Sequence, residues 1–242
     1  MSEFKVTAKE IEDATIEAIY WWNRTEFHYN KYFTKIDIIC KDKELKNFFN
    51  RTIFEVFLKE YSIRRNLNSK YQTVDKFLDD LVKMGFFAEV KRSNADITII
   101  DNTSAKLKSK GSVTVKETKS LLSKIAFLVN PSVFALYDTL AKASLWKIVA
   151  ESKLVQRKDL ESYNGYYRCF EELLSQVKKQ KHFAKANNIL EKFDGTEAHY
   201  YFTNNKKAFE LRVVDKLLWI KGQVASAREI NNEQYIKLLK LK

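Results

Sequence analysis

The chain has 242 residues, 45% hydrophobic and 14% aromatic, with one Pro and five Gly, a balance that favours long helices over a turn-rich β fold. Lys and Arg total 43 against 31 Asp and Glu, a formal charge of +12. Such a field attracts polyanions, nucleic acid before acidic membrane surfaces; the plainer reading is a soluble, lysine-rich surface. No apolar run approaches the roughly 18 residues of a bilayer span. The acidic, amphipathic start MSEFKVTAKEIEDATIEAIY lacks the charged head and apolar core of a signal peptide. Cys40 and Cys169 are far apart, and His28, His182 and His199 form no cluster. The sequence therefore predicts a cytoplasmic protein with free thiols, no metal site, no cofactor and no membrane partner.

Residues 7–29 read as a helix opened by a Thr7–Glu10 capping box, with Ile11, Ile16, Ile19, Tyr20 and Trp22 on its apolar face. Its tail, YWWNRTEFHYNKYF, interleaves rings with Arg24, His28 and Lys31. That pattern fits either base stacking or a core anchored by Trp21 and Trp22. Asp42 is placed to cap a second helix, ELKNFFNRTIFEVFLKEYSI, apolar nearly all round and so expected at the centre of a bundle. A basic connection with Arg64 and Arg65 follows. The next helix, with Val74, Phe77, Leu78, Leu81 and Val82, stops at Gly85.

The runs FFAEVKRS and ADITIID alternate about Ser93-Asn94, which predicts a β-hairpin near residues 86–101. A winged helix over residues 42–101 is the composition-based alternative. NTSAKLKSKG, with Lys106, Lys108 and Lys110, reads as a linker over residues 102–111 between lobes at 1–101 and 112–242. The fold class is thus mainly α, multi-helix and open to a bilobal arrangement, with one small hairpin.

Thr114 and Glu117 form a second capping box, opening a helix through Leu121, Leu122, Ile125, Leu128 and Val129. Pro131, the only proline, ends it near Asn130. Asp138 then stands before Thr139 as an N-cap, where free backbone N–H groups keep a carboxylate ionised. Further on, Asp159 is expected to cap a helix through Tyr166, Tyr167, Phe170, Leu173, Leu174 and Val177. QVKKQKHFAKAN follows, the densest basic cluster, with Lys178, Lys179, Lys181 and Lys185 beside His182. Asp194-Gly195 marks a turn, and AFELRVVDKLLWIKGQV forms the last long helix.

The segment SKIAFLVNPSVFALYDTLAKASL resembles stretches of many uncharacterised bacterial proteins. Through them it is similar to the region of the helix–hairpin–helix DNA glycosylase superfamily that ends in a catalytic Asp capping a helix. The matching position is Asp138, within Tyr137-Asp138-Thr139; Lys124 is the candidate for the amine nucleophile of the bifunctional members. Such a pair suits N-glycosidic cleavage: a fixed carboxylate stabilises positive charge on the sugar, and an unprotonated amine attacks the anomeric carbon of a flipped nucleotide. The glycine-rich turn that the superfamily carries before the Lys is replaced here by TKSLLS. Asp138 as a plain cap and Lys124 as a surface lysine are the bland alternatives.

Three functions follow as expectations. The first is nucleic-acid binding, DNA favoured, through phosphate contacts from Lys178, Lys179, Lys181, Lys185, Lys106, Lys108, Lys110, Arg64 and Arg65. The second is a glycosylase or lyase using Asp138 and Lys124. The third is a protein-interaction subunit of a bacterial or phage defence system.

Overall fold

The computed structural model describes residues 6–63, 67, 74–110, 117–150 and 156–223. These form a multi-helix, mainly α architecture, with no strand or sheet among them. Arg64, Arg65, the Thr114 half of the second capping box and the tail EQYIKLLKLK lie outside the described residues.

The chain divides into two compact units, one of residues 1–27 with 135–242, the other of residues 28–134. In the first, α1 (Ala8–Trp21) opens with the expected capping box: Thr7 N donates to Glu10 Oε2 at 2.8 Å, and Glu10 N to Thr7 Oγ1 at 3.2 Å. A π-helical turn, Trp22–Glu26, follows. Its wider turn re-aims the side chains beyond it. Asn23 Oδ1 there accepts from Ala198 N at 2.8 Å, and Trp22, fully buried, stacks on Tyr201.

Among the described residues, the remaining α-helices of this unit are α10 (Thr139–Ala150), α11 (Tyr163–Lys179), α12 (Phe183–Glu191), α13 (Glu197–Asn204) and α14 (Lys206–Gly222). Here α14 packs against α1, α10, α11 and α13 and is buried on all sides from Ala208 to Leu218. Asp159 sits in a short 3₁₀ turn, Arg157–Glu161, and the cap of α11 is Ser162, whose Oγ accepts from Gly165 N at 3.0 Å. A side chain at Gly165 would run into the Asp159 carbonyl, so this tight entry requires glycine. Gly195, at φ 77°, makes the expected turn before α13.

The second unit holds α2 (Phe27–Phe33) beyond its first residue, α3 (Ile36–Ile39), α4 (Lys43–Phe48), a π turn at Phe49–Phe54, and α5 (Glu55–Glu60). Asp42 caps α4 as expected, accepting from Glu44 N and Leu45 N at 2.8 and 2.9 Å. The segment is not buried all round. Phe49, Phe54, Phe57 and Leu58 face the core, while Leu45, Phe48 and Val56 are exposed. The π turn rotates the apolar face partway along, which a count of apolar positions misses.

Next come α6 (Asp75–Lys83), α7 (Phe86–Val90), α8 (Ile99–Ser109) and α9 (Lys119–Val129). Gly85, at φ 71°, ends α6 in the left-handed region. The expected hairpin at 86–101 is not formed. Phe86, Phe87 and Val90 share a buried helical face, Asp96 oxygens hold Thr98 N and Oγ1 at 2.9 and 2.6 Å, and α8 begins at Ile99. Short apolar runs fit either period, and here the helical spacing Ile100, Thr103, Ser104, Leu107 wins. The expected linker at 102–111 is therefore helical through Ser109. Asn130 at the end of α9 donates through Nδ2 to the carbonyls of Val90 and Arg92, both at 3.0 Å, so the Asn-Pro pair ends one helix and secures another.

Candidate functional site

The irregular residues Ala135–Asp138 belong to the first unit, and three tyrosine hydroxyls hold this part of it. Tyr163 OH donates to Ala135 O at 2.9 Å and accepts from Ala135 N at 3.1 Å. Tyr166 OH donates to Leu136 O at 2.9 Å, and Tyr137 OH to Leu160 O at 3.0 Å. Buried backbone that joins no helix needs such partners. Sequence reading placed Tyr166 on a core face, but the hydroxyl roles have no local signal. The fixed segment ends at Asp138, which caps α10 by accepting from Ala141 N at 2.8 Å.

Beyond Asp138 lies a cluster of ionised groups with no counterpart in the sequence reading. From α14 it takes Arg212, Asp215 and Lys216; from α1, Glu17; and from the π turn, Glu26. All five are buried. Arg212 Nε donates to Glu26 Oε2 at 3.0 Å, its two terminal nitrogens reach Glu26 Oε1 and Asp215 Oδ2, and Asp215 Oδ1 has no hydrogen-bond partner among the described residues. Burial outweighs the Arg212 guanidinium and holds the Asp215 carboxyl up at about 6, with the Asp138 carboxylate adding to the rise. The buried Tyr166 hydroxyl is raised too, first by burial and then by Asp215 and Asp138.

Lys216 Nζ stands 4.7 and 5.0 Å from the ring centroids of Trp21 and Trp219, with Glu17 Oε2 at 3.9 Å. Burial, then repulsion from Arg212, brings its ammonium down to about 8. Buried charge of both signs persists in this unit because Arg212 and Lys216 face Glu26, Asp215 and Glu17.

The two members of the expected catalytic pair lie in different units. Lys124 is on α9 and buried rather than exposed, its Nζ donating to Ser120 Oγ at 2.9 Å. Of the expected phosphate contacts, Lys178 pairs with Glu210 at 2.6 Å, Lys185 with Glu12 at 3.0 Å and Lys110 with Asp80 at 3.4 Å. Lys179, Lys181, Lys106 and Lys108 are exposed and form no ion pair among the described residues. The first two belong to the α11–α12 turn of one unit, the last two to α8 of the other. Lys181, at φ 59°, makes the sharp step between α11 and α12.

An open recess of about 480 Å³ along α13, lined by Asp194, Thr196, Glu197, His199 and Tyr200, contains none of these residues. Among the described residues no three His, Cys, Asp or Glu side chains are grouped to hold a metal ion, and no helix is long and apolar enough to cross a membrane. Comparisons with family models, curated proteins and solved structures find no match.

Proposed function

We propose that the chain binds nucleic acid through phosphate contacts at the α11–α12 turn. The observation that carries this reading is the pair Lys179 and Lys181, both exposed and both without a carboxylate partner among the described residues. Lys178 and Lys185 flank them with charge shared by Glu210 and Glu12. In a chain of formal charge +12 the turn adds two exposed, unpaired cations to a field that already attracts polyanions. Ammonium groups on flexible stems reach phosphate without reading bases, so binding is sequence-tolerant and salt-sensitive. The test is fluorescence anisotropy with a duplex and a single-stranded oligonucleotide across a salt series. Affinity that falls steeply with salt supports the reading, and a flat response or no binding at low salt ends it.

A second reading rests on Asp138. Its carboxylate is fixed by the α10 N-terminus and only half-buried, the disposition that N-glycosidic cleavage asks of a charge-stabilising group. Turnover of an oligonucleotide carrying a damaged base, lost in Asp138→Asn at unchanged melting temperature, supports it. Unchanged turnover in that variant, or none in the wild type, removes it. Borohydride trapping on abasic DNA with Lys124→Ala tests whether that lysine takes part.

A further inference from the structure

The amine of Lys216 is framed differently from every other lysine described in the chain. It sits on α14 at 5% exposure, and no hydrogen-bond acceptor lies within its reach among the described residues. Two indoles, Trp21 from α1 and Trp219 from its own helix, stand over it, and both are partly exposed. The nearest carboxylate oxygen, Glu17 Oε2 at 3.9 Å, is occupied by Trp21 Nε1 at 2.8 Å. The exposed Arg24 guanidinium lies 5.4 Å from the Trp21 centroid. Burial strips the ammonium of hydration that no hydrogen bond replaces, and this outweighs the indole faces and Glu17, which favour the cation, so the neutral, nucleophilic amine gains.

We infer that Lys216 is a carbonyl-reactive site that takes a planar aldehyde, condensing with it to an imine between Trp21 and Trp219. The Nζ lone pair attacks the carbonyl carbon, the carbonyl oxygen gains protons and leaves as water, and a C=N bond replaces C=O. Amine and aldehyde thus give imine and one water, with no change of oxidation state. Glu17 is the carboxylate beside the nitrogen and is positioned to exchange the proton that the amine must lose. The flat ligand body gains stacking on the indoles, and Arg24 favours one that also carries an anionic group. The charged groups facing Lys216 are Glu17 on α1, Glu26 on the π turn, and Arg212 and Asp215 on α14. Their mixture leaves burial as the dominant influence on the amine. The inference stands apart from nucleic-acid binding and from the chemistry of Asp138, since it uses neither the α11–α12 lysines nor that carboxylate.

The test uses the full chain and pyridoxal 5′-phosphate at sub-stoichiometric concentration. Sodium borohydride reduces any imine to a stable secondary amine, and peptide mapping by mass spectrometry locates it. Expected is an adduct at Lys216 on the order of ten-fold above any exposed lysine at pH 7.5. Labelling at Lys216 should reach half its plateau near pH 8. Lys216→Arg, which keeps the cation, should remove this adduct and leave the weak surface labelling intact. An adduct spread over Lys179, Lys181 and other exposed lysines with Lys216 unmodified overturns the inference. The wild-type map decides even if the variant fails to fold.

Discussion

Arg212 on α14 grips Glu26 on the π turn at two points, across 186 positions of sequence, with both side chains sealed from solvent. Each group is costly to bury alone, and together they fix where the π turn meets the last helix. Arg212→Met strands two carboxylates, Glu26 and Asp215, and should lower stability by about 3–5 kcal/mol. Glu26→Gln strands less, because Asp215 still faces the guanidinium. Combining Glu26→Gln with Arg212→Met should cost clearly less than the sum of the two changes. Urea unfolding of the three variants reads this coupling, and strictly additive losses would show that the pair does not act as one.

The same cluster predicts a pH dependence. Asp215 holds its proton up to about 6 in the folded chain and to its ordinary 3.8 when unfolded. Between those values the folded state carries more of that proton, so this group favours folding below 3.8, and its contribution falls as pH rises through about 6. The span is worth at most about 3 kcal/mol. Asp215→Asn cannot titrate, so the stability difference, wild type minus variant, should decline from pH 4 to pH 6 and then level off. A difference that rises over that interval would mean that the Arg212 pairing, not burial, sets the carboxyl.

Much of the helical frame is legible in the sequence because its signals are local. Thr7 with Glu10, Asp42, Gly85 and Asp138 each act within one turn of the chain, and all four lie where the residue chemistry puts them. What fails is what depends on distant partners. The run about Ser93-Asn94 alternates well enough for a hairpin, yet Asn130, some 40 positions on, completes the carbonyls that end α7 and favours the helix. Asp159 gives way to Ser162 because the chain makes a 3₁₀ turn first. In α14 the charges of FELRVVDK break the apolar pattern and suggest an exposed face. They are buried because Glu210, Arg212 and Lys216 meet Lys178, Glu26 and Glu17 from three other segments. No window of sequence contains those partners.

The role of Asp138 as a cap is measurable apart from any chemistry. Asp138→Ala leaves the N–H of Ala141 without its acceptor and should cost about 1 kcal/mol. Asp138→Ser restores an acceptor of similar reach, and its loss should be a few tenths of a kcal/mol. Thermal unfolding of both variants separates the cases. Equal losses in Ala and Ser would mean that the carboxylate acts through its charge on Asp215 and Tyr166 rather than through the cap.

Phosphate binding at the α11–α12 turn makes a quantitative claim about salt. Each lysine that neutralises a phosphate on duplex DNA releases counterions and adds about 0.9 to the slope of log affinity against log salt. Lys179→Gln and Lys181→Gln should each flatten that slope by about 1 and weaken binding alike for unrelated sequences. Lys178→Gln and Lys185→Gln should do less, because Glu210 and Glu12 already engage those ammonium groups. On α8, Lys106→Gln and Lys108→Gln provide the comparison, since those lysines are equally exposed and equally unpaired among the described residues. If net charge alone draws the polyanion, all four of these free lysines will flatten the slope to the same extent. If the turn is the site, Lys179 and Lys181 will account for most of it, and the α8 pair will leave the slope within error of the wild type.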